Sequence, residues 1–123
     1  MSSPFFIQSK LGDLVIDIQG AGTKPGTPLD VFTKKTKSPD WNNQLWEFVT
    51  SNIEEFYVIQ NPASGLVIDV EGANTKPGTL IDAFTKKTKS PDWDNQLWTF
   101  VDEQRKSVTP PVYTTPPVQP PPK

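Results

Sequence analysis

The sequence predicts an all-β protein assembled from two copies of one four-stranded unit. Three observations carry this. Leu14 to Phe48 aligns with Leu66 to Phe100 without a gap, and 27 of the 35 paired positions are identical. Short runs alternate apolar and other residues with a period of two, as half-buried strands do. Proline–glycine turns punctuate these runs, and neither copy has a helical period. A unit of about 50 residues buries too little apolar surface to stand alone, so the units are expected to pack on each other. Any site in one copy is expected to recur in the other.

The first strand is expected at Phe5 to Ser9, matched by Phe56 to Gln60. The second runs from Leu14 to Ile18, matched by Leu66 to Val70. In it Leu14, Ile16 and Ile18 share one face, and Val15 and Asp17 share the other. The turn Thr23-Lys24-Pro25-Gly26, repeated as Thr75-Lys76-Pro77-Gly78, has the type II signature, because glycine tolerates the positive φ required there. The third strand is expected from Pro28 to Lys34, with Leu29 and Val31 inward and Asp30 and Phe32 outward. After a loop at Ser38-Pro39-Asp40, the fourth runs from Asn43 to Val49. Repeat one thus spans 5–52 and repeat two 56–104, so residues 1–104 form one domain.

Composition narrows the chemistry. The chain has 123 residues, no cysteine and no histidine. Disulfides and thiolate sites are therefore excluded, and the commonest general base and metal ligand are both missing. An enzyme is not expected, nor a metal or cofactor. The net charge of −2, with both signs interspersed, favours neither nucleic acid nor an anionic surface. No run reaches the roughly 18 apolar residues of a membrane span. No signal peptide is visible at the first residues, so a cytoplasmic location is expected, with unconventional export left open.

The outer face of strands two and three carries the functional expectation. Asp17 and Asp30 supply carboxylates, and Phe32 supplies a ring directed away from the core. Carboxylates accept charge-assisted hydrogen bonds from adjacent hydroxyls, and an aromatic plate suits the C–H face of a pyranose. The same residue types recur at Asp69, Asp82 and Phe84. The lysines Lys34, Lys35 and Lys37, repeated as Lys86, Lys87 and Lys89, read as solvated strand ends balanced by nearby acids. Trp46 and Trp98 read as core. Trp41 and Trp93 read as packing over the end of the unit, with a sugar platform as the alternative.

Asn43-Gln44-Leu45-Trp46 and Asn95-Gln96-Leu97-Trp98 match the Gln-x-Trp signature, each preceded by a hydrophobic-Asp-hydrophobic strand and a Gly-Thr turn. On these residues the chain resembles the ricin-B-type, or R-type, β-trefoil lectins. The resemblance implies a β-trefoil-type fold with two visible four-stranded repeats and up to two equivalent sugar sites. It implies that Asp17 and Asp69 bind sugar hydroxyls, that Asp30 with Phe32 and Asp82 with Phe84 complete the pockets, and that Asn43 and Asn95 also contact sugar. Gln44 and Gln96 are implied to brace the site. The double change Asp17→Ala and Asp69→Ala is expected to abolish glycan binding with the fold intact.

A trefoil has three units, and two are visible. Three accounts are open: association between chains, a third unit elsewhere, or a self-sufficient two-unit sheet; exposed edges favour association into a homo-oligomer. Residues 105–123 form a proline-rich tail with the composition of a disordered segment. It holds Pro110-Pro111-Val112-Tyr113 and Pro117-Val118-Gln119-Pro120, strings of the kind WW and SH3 domains bind as polyproline II helices. A protein-interaction module on a trefoil scaffold without sugar binding is the alternative function.

Overall fold

The computed structural model describes residues 4–108. Both tail strings lie outside them, as does the proposed WW or SH3 partner. Six strands form one antiparallel sheet: β1 (Leu14–Ile18), β2 (Thr27–Thr33), β3 (Glu47–Thr50), β4 (Tyr57–Gln60), β5 (Val67–Val70) and β6 (Ile81–Phe84). Their order is β1-β2-β6-β5-β4-β3. The β1–β2 hairpin belongs to repeat one and the β5–β6 hairpin to repeat two. Two contacts join the repeats. β3 pairs with β4 over four positions, from Glu47↔Gln60 to Thr50↔Tyr57. β2 meets β6 at Thr27↔Ala83 and Pro28↔Asp82.

Sequence and structure agree where local rules dominate. β1 has the expected limits, and the Pro-Gly turns carry glycine at φ 92° for Gly26 and 93° for Gly78. The first strand is reduced to isolated bridges, Phe5↔Trp46 and Gln8↔Val15. The bridge Tyr57↔Trp98 repeats Phe5↔Trp46, so Phe5 answers to Tyr57, one residue past the expected match at Phe56.

The expected fourth strand is divided. Asp40–Gln44 forms a 3-10 turn, and only Glu47–Thr50 is strand. The Trp41 N–H donates to the Lys37 carbonyl at 3.1 Å and the Asn42 N–H to the Pro39 carbonyl at 2.9 Å. These local bonds draw the Asx-rich segment into a turn before the strand begins. Asp92–Gln96 repeats the turn in the second copy.

Core residues come from both repeats. Ile18, Trp46, Ile59, Leu66, Ile68 and Ala83 form the buried cluster, with Phe5, Ile7, Ile16, Leu29, Phe48, Ile81 and Trp98 packed against it. The sheet curls around this cluster without closing. An apolar opening of about 460 Å³ remains, walled by Phe5, Ile16, Phe48, Ile81, Trp98 and Phe100 among others. Past residue 104 the chain turns back, and the Val108 N–H donates to the Phe100 carbonyl at 2.8 Å.

Val31 departs from its expected inward position, being 56% exposed. Its counterpart Ala83 is fully buried because the turn of repeat one lies against it, the Gly26 N–H donating to the Ala83 carbonyl at 2.8 Å. Among the described residues no turn of another repeat covers Val31 in the same way.

Candidate functional site

Each repeat places one aspartate at the centre of a hydrogen-bonded cluster. Asp17 lies near the end of β1, and the Asp40–Gln44 turn folds over it. The Asn43 side-chain amide donates to Asp17 Oδ2 at 3.1 Å and the Gln44 amide to the same oxygen at 3.0 Å. Asn43 also donates to the Ile18 carbonyl at 2.9 Å, and its own carbonyl oxygen accepts from Lys35 Nζ at 2.8 Å. Gln44 donates to the Thr33 carbonyl at 3.0 Å and accepts from the Lys35 backbone N–H at 2.9 Å. One glutamine therefore ties β1, the end of β2 and its own turn together. The Trp46 ring N–H donates to the Ile16 carbonyl at 3.1 Å, fixing a fully buried indole below the cluster.

Repeat two has the same network. Asn95 and Gln96 donate to Asp69 Oδ2 at 3.1 and 2.9 Å, and Lys87 Nζ reaches Asn95 Oδ1 at 3.0 Å. The Trp98 ring N–H donates to the Ile68 carbonyl at 3.1 Å.

Asp17 is 3% exposed and Asp69 2%, so the outward face expected for these aspartates is corrected. Strand alternation does turn them away from the apolar cluster. The following 3-10 turn then covers that face as well, and a polar side chain is tolerated there because it is hydrogen-bonded. Asn43 is also buried, whereas Asn95 is half-buried. Asp17 and Asp69 are therefore structural keystones. Alanine at either position is instead expected to lower stability, because each change strands two amide donors, both buried in repeat one and one of them buried in repeat two.

Asp30 lies directly across the hairpin from Asp17, and Asp82 directly across from Asp69. Asp30 Oδ1 and Asp82 Oδ1 are buried and have no hydrogen-bond partner. Two carboxyls in register can satisfy that oxygen by holding one proton between them. Burial lifts the Asp17 carboxyl above the ordinary range; the Gln44 bond opposes the lift, and Asp30 adds to it. The Asp82 carboxyl is pushed up to about 7, first by burial, then by Asp69 and Glu71.

The aromatic residues frame these pairs. Phe32, two positions beyond Asp30 on β2, is 52% exposed. Phe84 is half-buried, with Lys87 Nζ 6.0 Å from its ring centre. Lys35 and Lys87 bond to the clusters, a placement that charge patterning overlooked. Their equal distance from each Gln-x-Trp motif, within an otherwise duplicated segment, was the available signal. Trp41 packs edge-on against Phe6 with ring centres 5.9 Å apart, and Trp93 is buried. Among the described residues no group of three or more acidic side chains could hold a metal ion.

The duplicated Asp–Asn–Gln cluster under a Gln-x-Trp tryptophan agrees with a family comparison: residues 42–114 match the ricin-type beta-trefoil lectin domain-like family. The chain belongs to this family. In structure it is similar to the designed 3-fold symmetric protein ThreeFoil, with a TM-score of 0.68 at 23% identity, covering 81% of this chain and 65% of that one. The chain thus spans just under two thirds of ThreeFoil's length, and the half-barrel is a partial β-trefoil. It is also similar to the C-half of an earthworm R-type lectin in complex with GalNAc, at 20% identity and a TM-score of 0.35, covering 77% of this chain and 95% of that one. No curated protein matches the sequence.

Proposed function

We propose that this chain is a non-enzymatic carbohydrate-binding module with two related shallow sites, one on each hairpin. The observation that carries the reading is the repeated pairing of an opposed acid pair with a neighbouring phenylalanine, in a family that is lectin-like. Asp30 with Phe32, and Phe84 in the second copy, are the groups assigned to the sugar, the acid to hydroxyls and the rings to the C–H face, while Asp82, 5% exposed, joins Asp69 in the floor. Asp17, Asn43, Gln44, Asp69, Asn95 and Gln96 hold those groups in place and define the floor of each site. Lys35 and Lys87 stand at the rim.

Single sites of this kind bind weakly, because lost rigid-body freedom and desolvation of hydroxyls offset most of the contact energy. Linked sites can strengthen binding by about 10²–10⁴-fold without new contacts. Association of chains into a homo-oligomer belongs to the proposed function for that reason.

The test uses Phe32→Ala and Phe84→Ala, singly and together, on a glycan array followed by titration of any sugar that binds. Each single change is expected to weaken binding and the pair to abolish it, with thermal unfolding little changed for Phe32→Ala. An unaltered array signal in the double variant would remove the rings from the site and turn the reading toward a trefoil that binds protein.

A further inference from the structure

Within one chain, the turn of repeat one docks on the third strand of repeat two. Gly26, Thr27 and Pro28 supply one half of that junction, and Asp82 and Ala83 supply the other. The duplication writes both halves again elsewhere. Gly78, Thr79 and Leu80 repeat the first half on repeat two, and Asp30 and Val31 repeat the second on repeat one. Neither of these copies is used within the described chain, and both are apolar at the surface: Leu80 is 68% exposed and Val31 56%. The used counterpart of Val31, Ala83, is fully buried.

We infer that these unused halves are a head-to-tail interface between copies of this chain. The inference deepens the proposed association and rests on it. In the register of the internal junction, Thr79 of one copy faces Val31 of the next, Leu80 faces Asp30, and the Gly78 N–H points to the Val31 carbonyl. The occupant is a second copy because the required surface already exists in this sequence and already forms one such contact. The three-fold frame of ThreeFoil has a further unit where this chain, covering 65% of it, has none. Ile81, next to Leu80, lines the apolar opening, so a copy docked there stands beside half-buried Phe and Ile side chains. The nearby Phe100 carbonyl already accepts from the Val108 N–H and does not take part. A contact between two different patches has polarity, and breaking either patch leaves the other intact.

That polarity gives the test. Wild-type chain, Val31→Asp, Leu80→Asp and an equal mixture of the two variants are sized by light scattering after gel filtration, with circular dichroism to verify folding. Both positions are more than half exposed, so the isolated chain is expected to fold with either change; Val31→Ser and Leu80→Ser serve if aspartate lowers the folded yield. The wild-type chain should be an oligomer and each variant alone a monomer. The mixture should form a dimer and nothing larger, joined by the intact Leu80 side of one variant and the intact Val31 side of the other. A monomeric wild type, an oligomeric single variant or a mixture that stays monomeric would overturn the interface. Glycan binding by the wild-type chain is a separate readout, and its absence would remove the sugar sites while leaving the mass result standing.

Discussion

In repeat one the Asn43 amide reaches its aspartate at 3.1 Å, and in repeat two the Asn95 amide does so at the same distance. The remaining bonds of the two clusters agree about as closely. The surroundings do not. Trp46 is fully buried while Trp98 is half-buried and lines the apolar opening; Asp82 is buried while Asp30 is half-exposed; Val31 is exposed where Ala83 is not. Local sequence therefore fixes the cluster, and the neighbouring repeat fixes how much water reaches it. Charge differs too. Glu71 stands where repeat one has Gln19, and it helps raise the Asp82 carboxyl, whereas Lys35 works against the rise at Asp17.

The largest break in the comparison is expected at the tryptophans. Removal of a buried aromatic side chain costs about 3–5 kcal/mol. Trp46→Ala should approach that figure, enough to unfold much of so small a domain. Trp98→Ala should cost clearly less, and urea unfolding compares them. Equal losses would show that the opening is filled in solution.

Asp17→Ala and Asp69→Ala come next. Each strands two amide donors, both buried beside Asp17 and one buried beside Asp69, at about 1–3 kcal/mol for each buried unsatisfied group. A fall in the unfolding midpoint with either change, and a larger one with both, is the expected outcome. Asparagine at these positions should cost less than alanine, since both amides donate to a single aspartate oxygen, which the asparagine carbonyl can replace while its NH2 faces the opposed acid.

Proton linkage sharpens the contrast between the two acid pairs. The raised Asp82 carboxyl makes the folded chain bind more protons than the unfolded chain between the ordinary value of 3.8 and about 7. Its stabilisation is complete at the acid end of that window and is lost as the pH rises through about 7, and the raised Asp17 carboxyl acts in the same direction. Thermal melts across the window should therefore decline with pH in the wild type. Asp82→Asn keeps a donor opposite Asp69 and should flatten most of the decline, leaving the share due to Asp17. An unchanged slope would show that repeat two holds no extra proton.

The smallest effect on stability is expected from Phe32→Ala, within about 0.5 kcal/mol because the ring is largely in water. Phe84→Ala should cost more, as its ring is half-buried. Differential scanning calorimetry separates them.

Strands and Pro-Gly turns were legible because their rules are local. Alternation through Leu14–Ile18 needs no knowledge of the rest of the chain, and glycine after proline demands its turn wherever it occurs. The Asp–Asn–Gln cluster was legible as a set of residues, through the repeated Gln-x-Trp motif. Its burial was not, because a turn more than twenty residues downstream covers the polar face of β1. Alternation reports only which way a side chain points from its own strand. The roles of Lys35 and Lys87 were hidden likewise, since each is decided by a contact with an asparagine eight residues away.

One small feature bears on how further strands are kept from adding near Phe100. Beyond Phe100 the backbone doubles back, so that the Val108 N–H occupies the Phe100 carbonyl. Fibril growth by cross-β stacking requires an unsatisfied edge that templates the next molecule. On that side the molecule carries its own stopper.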